Sequence, residues 1–142
     1  MNATEVDDRK KNYVSDARSK TEISTVMIVD DDPIIRMILN KVIMCDRPLT
    51  SIIECNNGDD AYNKMNGEIS LIFTDNNMPI VSGMEFIRKI KADPAYADIP
   101  VVMVSVEARE EYKSFGKELG ITGWLVKPFD IGQIREYLNR YL

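Results

Sequence analysis

Histidine is missing from all 142 residues. Imidazole metal ligation and histidine general-base catalysis therefore have no residue to use. Cysteine is almost missing too. The two present, Cys45 and Cys55, lack metal-ligand spacing and read as small core or near-core hydrophobes in a reducing cytosol. A basic excess is also absent: 18 Lys and Arg stand against 23 Asp and Glu, a formal net charge of −5. That balance argues against direct nucleic-acid binding. No stretch reaches the ~18 consecutive apolar residues of a membrane span, and the N-terminus lacks the apolar run of a secretory signal. The expectation is a cytoplasmic protein with no membrane insertion. With 44% hydrophobic and 29% charged residues, the composition suits one globular domain with one core.

What is present is acid at the ends of apolar runs. Asp30-Asp31-Asp32 follows Val26–Val29, Asp75 follows Leu71–Thr74, and Lys127 follows Trp124–Val126. Such runs read as buried parallel strands. Charges at their C-terminal ends emerge at one sheet edge, where open α/β sheets bind ligands. At an effective dielectric of about 20, two unit charges ~4 Å apart cost about 4 kcal/mol. Crowded carboxylates therefore call for something positive among them, most simply a divalent cation.

The chain falls into two parts. Residues 1–24 carry few large apolar side chains and alternating charges, too little to offset ordering entropy; the expectation is a flexible tail. Residues 25–142 read as a domain of five strands alternating with five helices. The strands are Val26–Val29, Ser51–Cys55, Leu71–Thr74, Val101–Val104 and Trp124–Val126. Pro33 fits a first helical turn with Asp32 as N-cap, and Ile35, Ile38, Leu39, Val42 and Ile43 recur at helical spacing. Shorter helices are expected near Asp60–Met65, Met84–Ala92, Glu107–Leu119 and Ile131–Leu142. Ala108, Tyr112, Phe115 and Leu119 share one side of the fourth helix and are expected in the core. Gly120 is its stop. Gly83 is expected to supply a positive φ in the loop after Asp75. Alternation of this kind builds a parallel sheet covered on both faces.

At this point the residues resemble a family. Val29-Asp-Asp-Asp-Pro-Ile-Ile-Arg36, Phe73-Thr-Asp-Asn-Asn-Met-Pro79 with Gly83, Val102-Met-Val-Ser105 and Val126-Lys-Pro-Phe129 together look like the receiver domain of two-component response regulators. The likeness runs from about Thr25 to Leu142, and the chain is similar to single-domain regulators of the chemotaxis type. It implies a flavodoxin-like, doubly wound five-stranded parallel sheet with strand order 2-1-3-4-5. It further implies that Asp75 accepts a phosphoryl group from a histidine kinase or histidine phosphotransfer protein. Asp31, Asp75 and the backbone carbonyl of Asn77 would ligate Mg²⁺, with Asp30 holding the metal through water. Ser105 and Lys127 would bind the transferred group. Ser105 and Trp124 would be the switch residues, changing the surface of the fourth helix, fifth strand and fifth helix for a downstream protein target. Lys127-Pro128 resembles the family's cis peptide.

These roles agree with elementary chemistry. Mg²⁺ takes oxygen ligands, keeps waters, and uses one or two carboxylates plus substrate phosphate. Phosphoryl transfer asks chiefly for in-line positioning and charge stabilisation. An ionised carboxylate nucleophile needs no histidine base. Three positions depart from the family's commoner residues: Ser105 stands for Thr, Val106 for a small residue, and Trp124 for Tyr or Phe. Val106 is expected to narrow access to Asp75. Asn77 and Glu107 occupy positions that, in the family it resembles, tune the lifetime of the phosphorylated form.

Two other readings stand beside this one. Val29-Asp30-Asp31-Asp32 also fits the Asp-x-Asp strand end of haloacid-dehalogenase-like phosphatases, with Asp30 as nucleophile. A receiver-like interaction module that is never phosphorylated is the other. On the favoured reading the chain is a phosphoacceptor signalling domain and not an enzyme in the usual sense, catalysing only its own phosphorylation and dephosphorylation.

Overall fold

The computed structural model describes residues 23–142. The expected tail, residues 1–24, lies outside the described residues except for Ile23 and Ser24. The described elements are β1 (Thr25–Val29), α1 (Pro33–Asp46), β2 (Ser51–Cys55), α2 (Gly58–Asn63), β3 (Ile69–Thr74), α3 (Gly83–Lys91), β4 (Val101–Ser105), α4 (Glu110–Leu119), β5 (Gly123–Val126) and α5 (Ile131–Tyr141). All strand pairs are parallel, and the sheet order is β2-β1-β3-β4-β5, as the resemblance implied.

Side chains alternate across the sheet with the two-residue period of a strand. Val26 and Ile28 of β1 point to one face, where α1 and α5 contribute Leu39, Val42, Ile43, Ile134 and Leu138. Met27 and Val29 point to the other, where α2 and α3 contribute Ala61, Phe86, Ile87 and Ile90. The sheet is therefore doubly wound, and its central strands are apolar on both faces. Burying one such side chain contributes roughly 1.5–3 kcal/mol. Local signals set the helix starts. Asp32 caps α1 by accepting the Ile34 N–H at 2.9 Å, with Pro33 at the first helical position. Ser82 caps α3, and Asp130 with Gln133 closes a capping box on α5. Gly120, at φ 94°, ends α4 in the left-handed region.

Four expectations need correcting. Tyr112 and Phe115 are not core: they are 39% and 46% exposed, and Gly116 is the buried residue of α4. The helix starts at Glu110 and not Glu107, so Ala108 belongs to the preceding loop. Gly83 has no positive φ; Ile80 has it instead, at 71°. Gly83 is required by proximity, since a Cβ there would overlap the carbonyl of Asp75 and come within 2.9 Å of the Asn76 Cα. Cys45 is exposed, while Cys55 is buried and its thiol is pushed up to about 12, chiefly by burial.

Candidate functional site

The strand register gathers the predicted residues at one edge. Val29 of β1 pairs with Thr74 of β3, so Asp30 and Asp75 leave the sheet side by side. The ladder continues one step past both strands: Asp75 N–H donates to the Val29 carbonyl at 2.8 Å, and Asp30 N–H donates to the Cys55 carbonyl at 3.0 Å. On the other side Ser105 pairs with Val126, and Lys127 N–H donates to the Ser105 carbonyl at 2.9 Å. Parallel strands that end in register thus deliver three acids, a hydroxyl and an ammonium to one edge of the sheet.

Asp30, Asp31 and Asp75 each present a carboxylate oxygen within 4.8 Å of the others. Asp30 and Asp75 are buried and Asp31 is exposed. Lys127 lies between the two buried acids, with Nζ 2.9 Å from Asp30 Oδ2 and 3.4 Å from Asp75 Oδ2. The second oxygen of Asp30 accepts the Asp32 N–H at 2.9 Å, and Asp75 Oδ1 accepts the Asn76 N–H at 2.8 Å. Burial, and then the Asp30 charge, push the Asp75 carboxyl above its ordinary range; Lys127 and the backbone amides of Asn76 and Asn77 pull the other way without cancelling this. Burial lowers Lys127, but its hydrogen bond to Asp30 and the two carboxylate charges outweigh that, leaving the ammonium more basic than usual. Three carboxylates and one ammonium leave two negative charges, the complement of one divalent cation. Oxygen donors alone line the cluster, which suits Mg²⁺ and not a softer metal.

The remaining predicted residues lie on the loops and strands that flank this centre. Ser105 is fully buried and its hydroxyl accepts the Glu107 N–H at 3.2 Å. Asn77 is exposed in the loop after Asp75, and its carbonyl accepts none of that loop's backbone hydrogen bonds among the described residues. Trp124 is half-buried, and its indole N–H donates to the Glu107 carbonyl at 2.7 Å, so the ring is tied to the loop that follows Ser105. Glu107 is itself held by Arg109, whose hydrogen bond lowers its carboxyl to about 2. The Lys127-Pro128 bond is cis.

Sequence reasoning missed three contributors. Asn76 accepts the Met84 N–H at 3.0 Å through its side chain and the Gly83 N–H at 3.1 Å through its carbonyl, fastening the Asp75 loop to α3. Ile80 stands 77% exposed beside the cleft in an unusual backbone conformation. Arg36 donates to the Asp30 carbonyl at 2.6 Å. Only Arg36 left a visible signal, a cation four residues after the triple acid.

A doubly wound sheet of this order, with acids and a lysine at its C-terminal edge, has the architecture of a receiver-like domain. The response regulator receiver domain model matches residues 26–139, and the chain belongs to that family. Among characterised relatives it is 30% identical to the chemotaxis protein CheY of Pseudomonas aeruginosa over 81% of this chain and 93% of that one. It is 28% identical to a CheY homolog of Campylobacter jejuni, covering 82% and 91%. The crystal structure of CheY4 from Vibrio cholerae superposes with a TM-score of 0.76 at 30% identity, covering 84% of this chain and 99% of that one. Among the described residues no helix is long and apolar enough to cross a membrane.

Proposed function

We propose that this receiver accepts a phosphoryl group on Asp75 from a phosphohistidine of a kinase or phosphotransfer protein. The observation that carries the reading is the position of Asp75: a buried carboxylate 3.4 Å from an ammonium and within 4.8 Å of two further acids. An Asp75 oxygen attacks phosphorus, the P–N bond breaks, and the imidazole keeps the electron pair. The product is an acyl phosphate, which water later hydrolyses to restore the carboxylate. Asp31, Asp75 and the Asn77 carbonyl would hold Mg²⁺, with Asp30 reaching it through water. When bound, the metal neutralises the incoming oxygens and fixes their direction. Lys127 stays charged throughout, because its pKa is raised, and is placed to pair with the group on Asp75. Ser105 donates its hydroxyl to the same group on leaving the Glu107 amide.

The consequence reaches α4 and β5. Ser105 and Trp124 both bond to Glu107, so withdrawing the Ser105 hydroxyl changes the loop that Trp124 holds. A new charge of about −1.5 to −2 on Asp75 is thereby coupled to the surface of α4, β5 and α5, where a downstream protein binds. A protein donor suits the rim of the cleft, since Ile34, Ile80 and Val106 are 60%, 77% and 66% exposed around it.

Intact-mass spectrometry after incubation with acetyl phosphate and Mg²⁺ tests this. One phosphoryl adduct is expected, lost in Asp75→Asn, and borohydride reduction should mark residue 75. An adduct that survives in Asp75→Asn but disappears in Asp30→Asn would favour Asp30 as a phosphatase-type nucleophile. No adduct in any form would favour the unphosphorylated interaction module.

A further inference from the structure

We infer that Arg36 is a positioning residue for the metal-binding acids, holding the peptide that joins Asp30 to Asp31. This rests on the proposed Mg²⁺ site. Asp30 lies one residue past the end of β1. Its N–H joins the ladder to Cys55, but β2 ends at Cys55 and the chain turns away into α2. The Asp30 carbonyl therefore has no strand amide beyond it. Arg36 Nη1 takes that place at 2.6 Å, a charge-assisted bond to a partly buried acceptor. The Arg36 side chain is only 20% exposed, and its Nε is committed to Glu54 Oε1 of β2 at 3.0 Å. Asn40, one turn further along α1, donates to the other Glu54 oxygen at 3.0 Å. Glu54 is thus clamped by two α1 side chains, which fixes the guanidinium plane that faces Asp30.

The carbonyl of Asp30 and the N–H of Asp31 belong to one planar unit. Fixing the first orients the second, and with it the Cα from which the exposed Asp31 carboxylate extends. On the other side of Asp30, the Asp32 N–H and Lys127 hold the carboxylate itself. With the Asp30 N–H already held by Cys55, Arg36 supplies the restraint on the carbonyl side of Asp30. Lysine is no substitute, because one ammonium cannot span Glu54 and the Asp30 carbonyl with a planar fork.

Mg²⁺ titration calorimetry on the full chain separates positioning from simple charge. Arg36→Lys and Arg36→Gln are both expected to weaken Mg²⁺ binding about tenfold, as loss of outer-sphere support does. Were the guanidinium only a nearby positive charge, Arg36→Lys would bind as wild type and Arg36→Gln more tightly; either result overturns the inference. Glu54→Gln, which removes the charge and the Asn40 bond but keeps an oxygen to accept from Arg36 Nε and so preserves the guanidinium plane, should stay within about twofold of wild type; a tenfold loss there would mean general fastening and overturn the assignment. In metal-free protein, amide exchange of Asp31 and Asp32 should quicken in both Arg36 variants relative to Glu54→Gln, and unchanged exchange overturns the proposal. That measurement stands even if wild type binds no Mg²⁺, which would instead sink the metal site.

Discussion

Replacing Asp75 with asparagine should stabilise the metal-free protein at neutral pH. The variant removes two repulsions, with Asp30 and Asp31, each acting across 4.8 Å or less. At an effective dielectric of about 20 each costs about 3.5 kcal/mol. It also removes the attraction to Lys127 at 3.4 Å, worth about 5 kcal/mol on the same scale. The difference favours the variant by about 2 kcal/mol, trimmed to about 1–2 because Asp31 is exposed and screened. Asparagine keeps an oxygen for the Asn76 N–H. For a domain of ~120 residues this corresponds to a rise in Tm of roughly 4–8 °C.

The pH dependence has a definite sign. The folded state raises the Asp75 pKa, through burial and then the Asp30 charge. Below the ordinary carboxylate range Asp75 is protonated in folded and unfolded chains alike, and the variant has no advantage. As pH rises through that range toward the folded pKa, the unfolded chain releases its proton first and wild type loses stability. The penalty is complete above the folded pKa. Thermal unfolding by circular dichroism in EDTA, from acid to neutral pH, measures the gap directly. Mg²⁺ at about a hundred times its Kd adds roughly 2.7 kcal/mol to wild type and less to a variant short of one anionic ligand, so the gap between the two curves narrows. If Asp75→Asn melts lower than wild type in EDTA at neutral pH, or Mg²⁺ raises both equally, the picture of three carboxylates awaiting a cation is refuted.

Val106→Ala should speed both phosphorylation by acetyl phosphate and the subsequent hydrolysis, several-fold each, because Val106 stands at the rim directly after Ser105; unchanged rates in single-turnover phosphate release would remove it as a gate. Gly83→Ala should lower stability by about 1–3 kcal/mol, the cost of overpacking, since its Cβ would meet the Asp75 carbonyl; urea unfolding checks this, and a variant as stable as wild type would show that the loop yields freely. Adding beryllofluoride with Mg²⁺ should change the fluorescence of Trp124, the chain's single tryptophan, and the change should shrink in Ser105→Ala if the two residues communicate through Glu107.

How much of this was legible in the sequence depends on what each residue bonds to. The strand ends could be read because a parallel sheet buried on both faces demands unbroken apolar runs, and the first polar residue after each run must surface at the same edge. Asp30, Asp75 and Lys127 are near one another for that reason, since β1 and β3 end in register at Val29 and Thr74 and β4 and β5 at Ser105 and Val126. The face of α4 could not be read in the same way. Tyr112 and Phe115 have the spacing of a buried stripe, yet the close packing on this helix belongs to Gly116, whose Cβ would come within 2.6 Å of Ile121. A glycine draws the backbone against the core and rotates the rings outward, where they line a shallow groove with Met84, Glu111 and Asn76. Spacing records which residues share a side, not which side a helix presses inward. Asn76, and the bond of Arg36 to Asp30, were hidden for a different reason. Their partners are backbone atoms, the Asp30 carbonyl and the amide of Met84, and every residue carries those atoms whatever its type. A pairing with a side chain leaves two complementary letters in the chain, whereas a pairing with the backbone leaves one. The acids that converge could therefore be named in advance, and the groups that fasten their backbone could not.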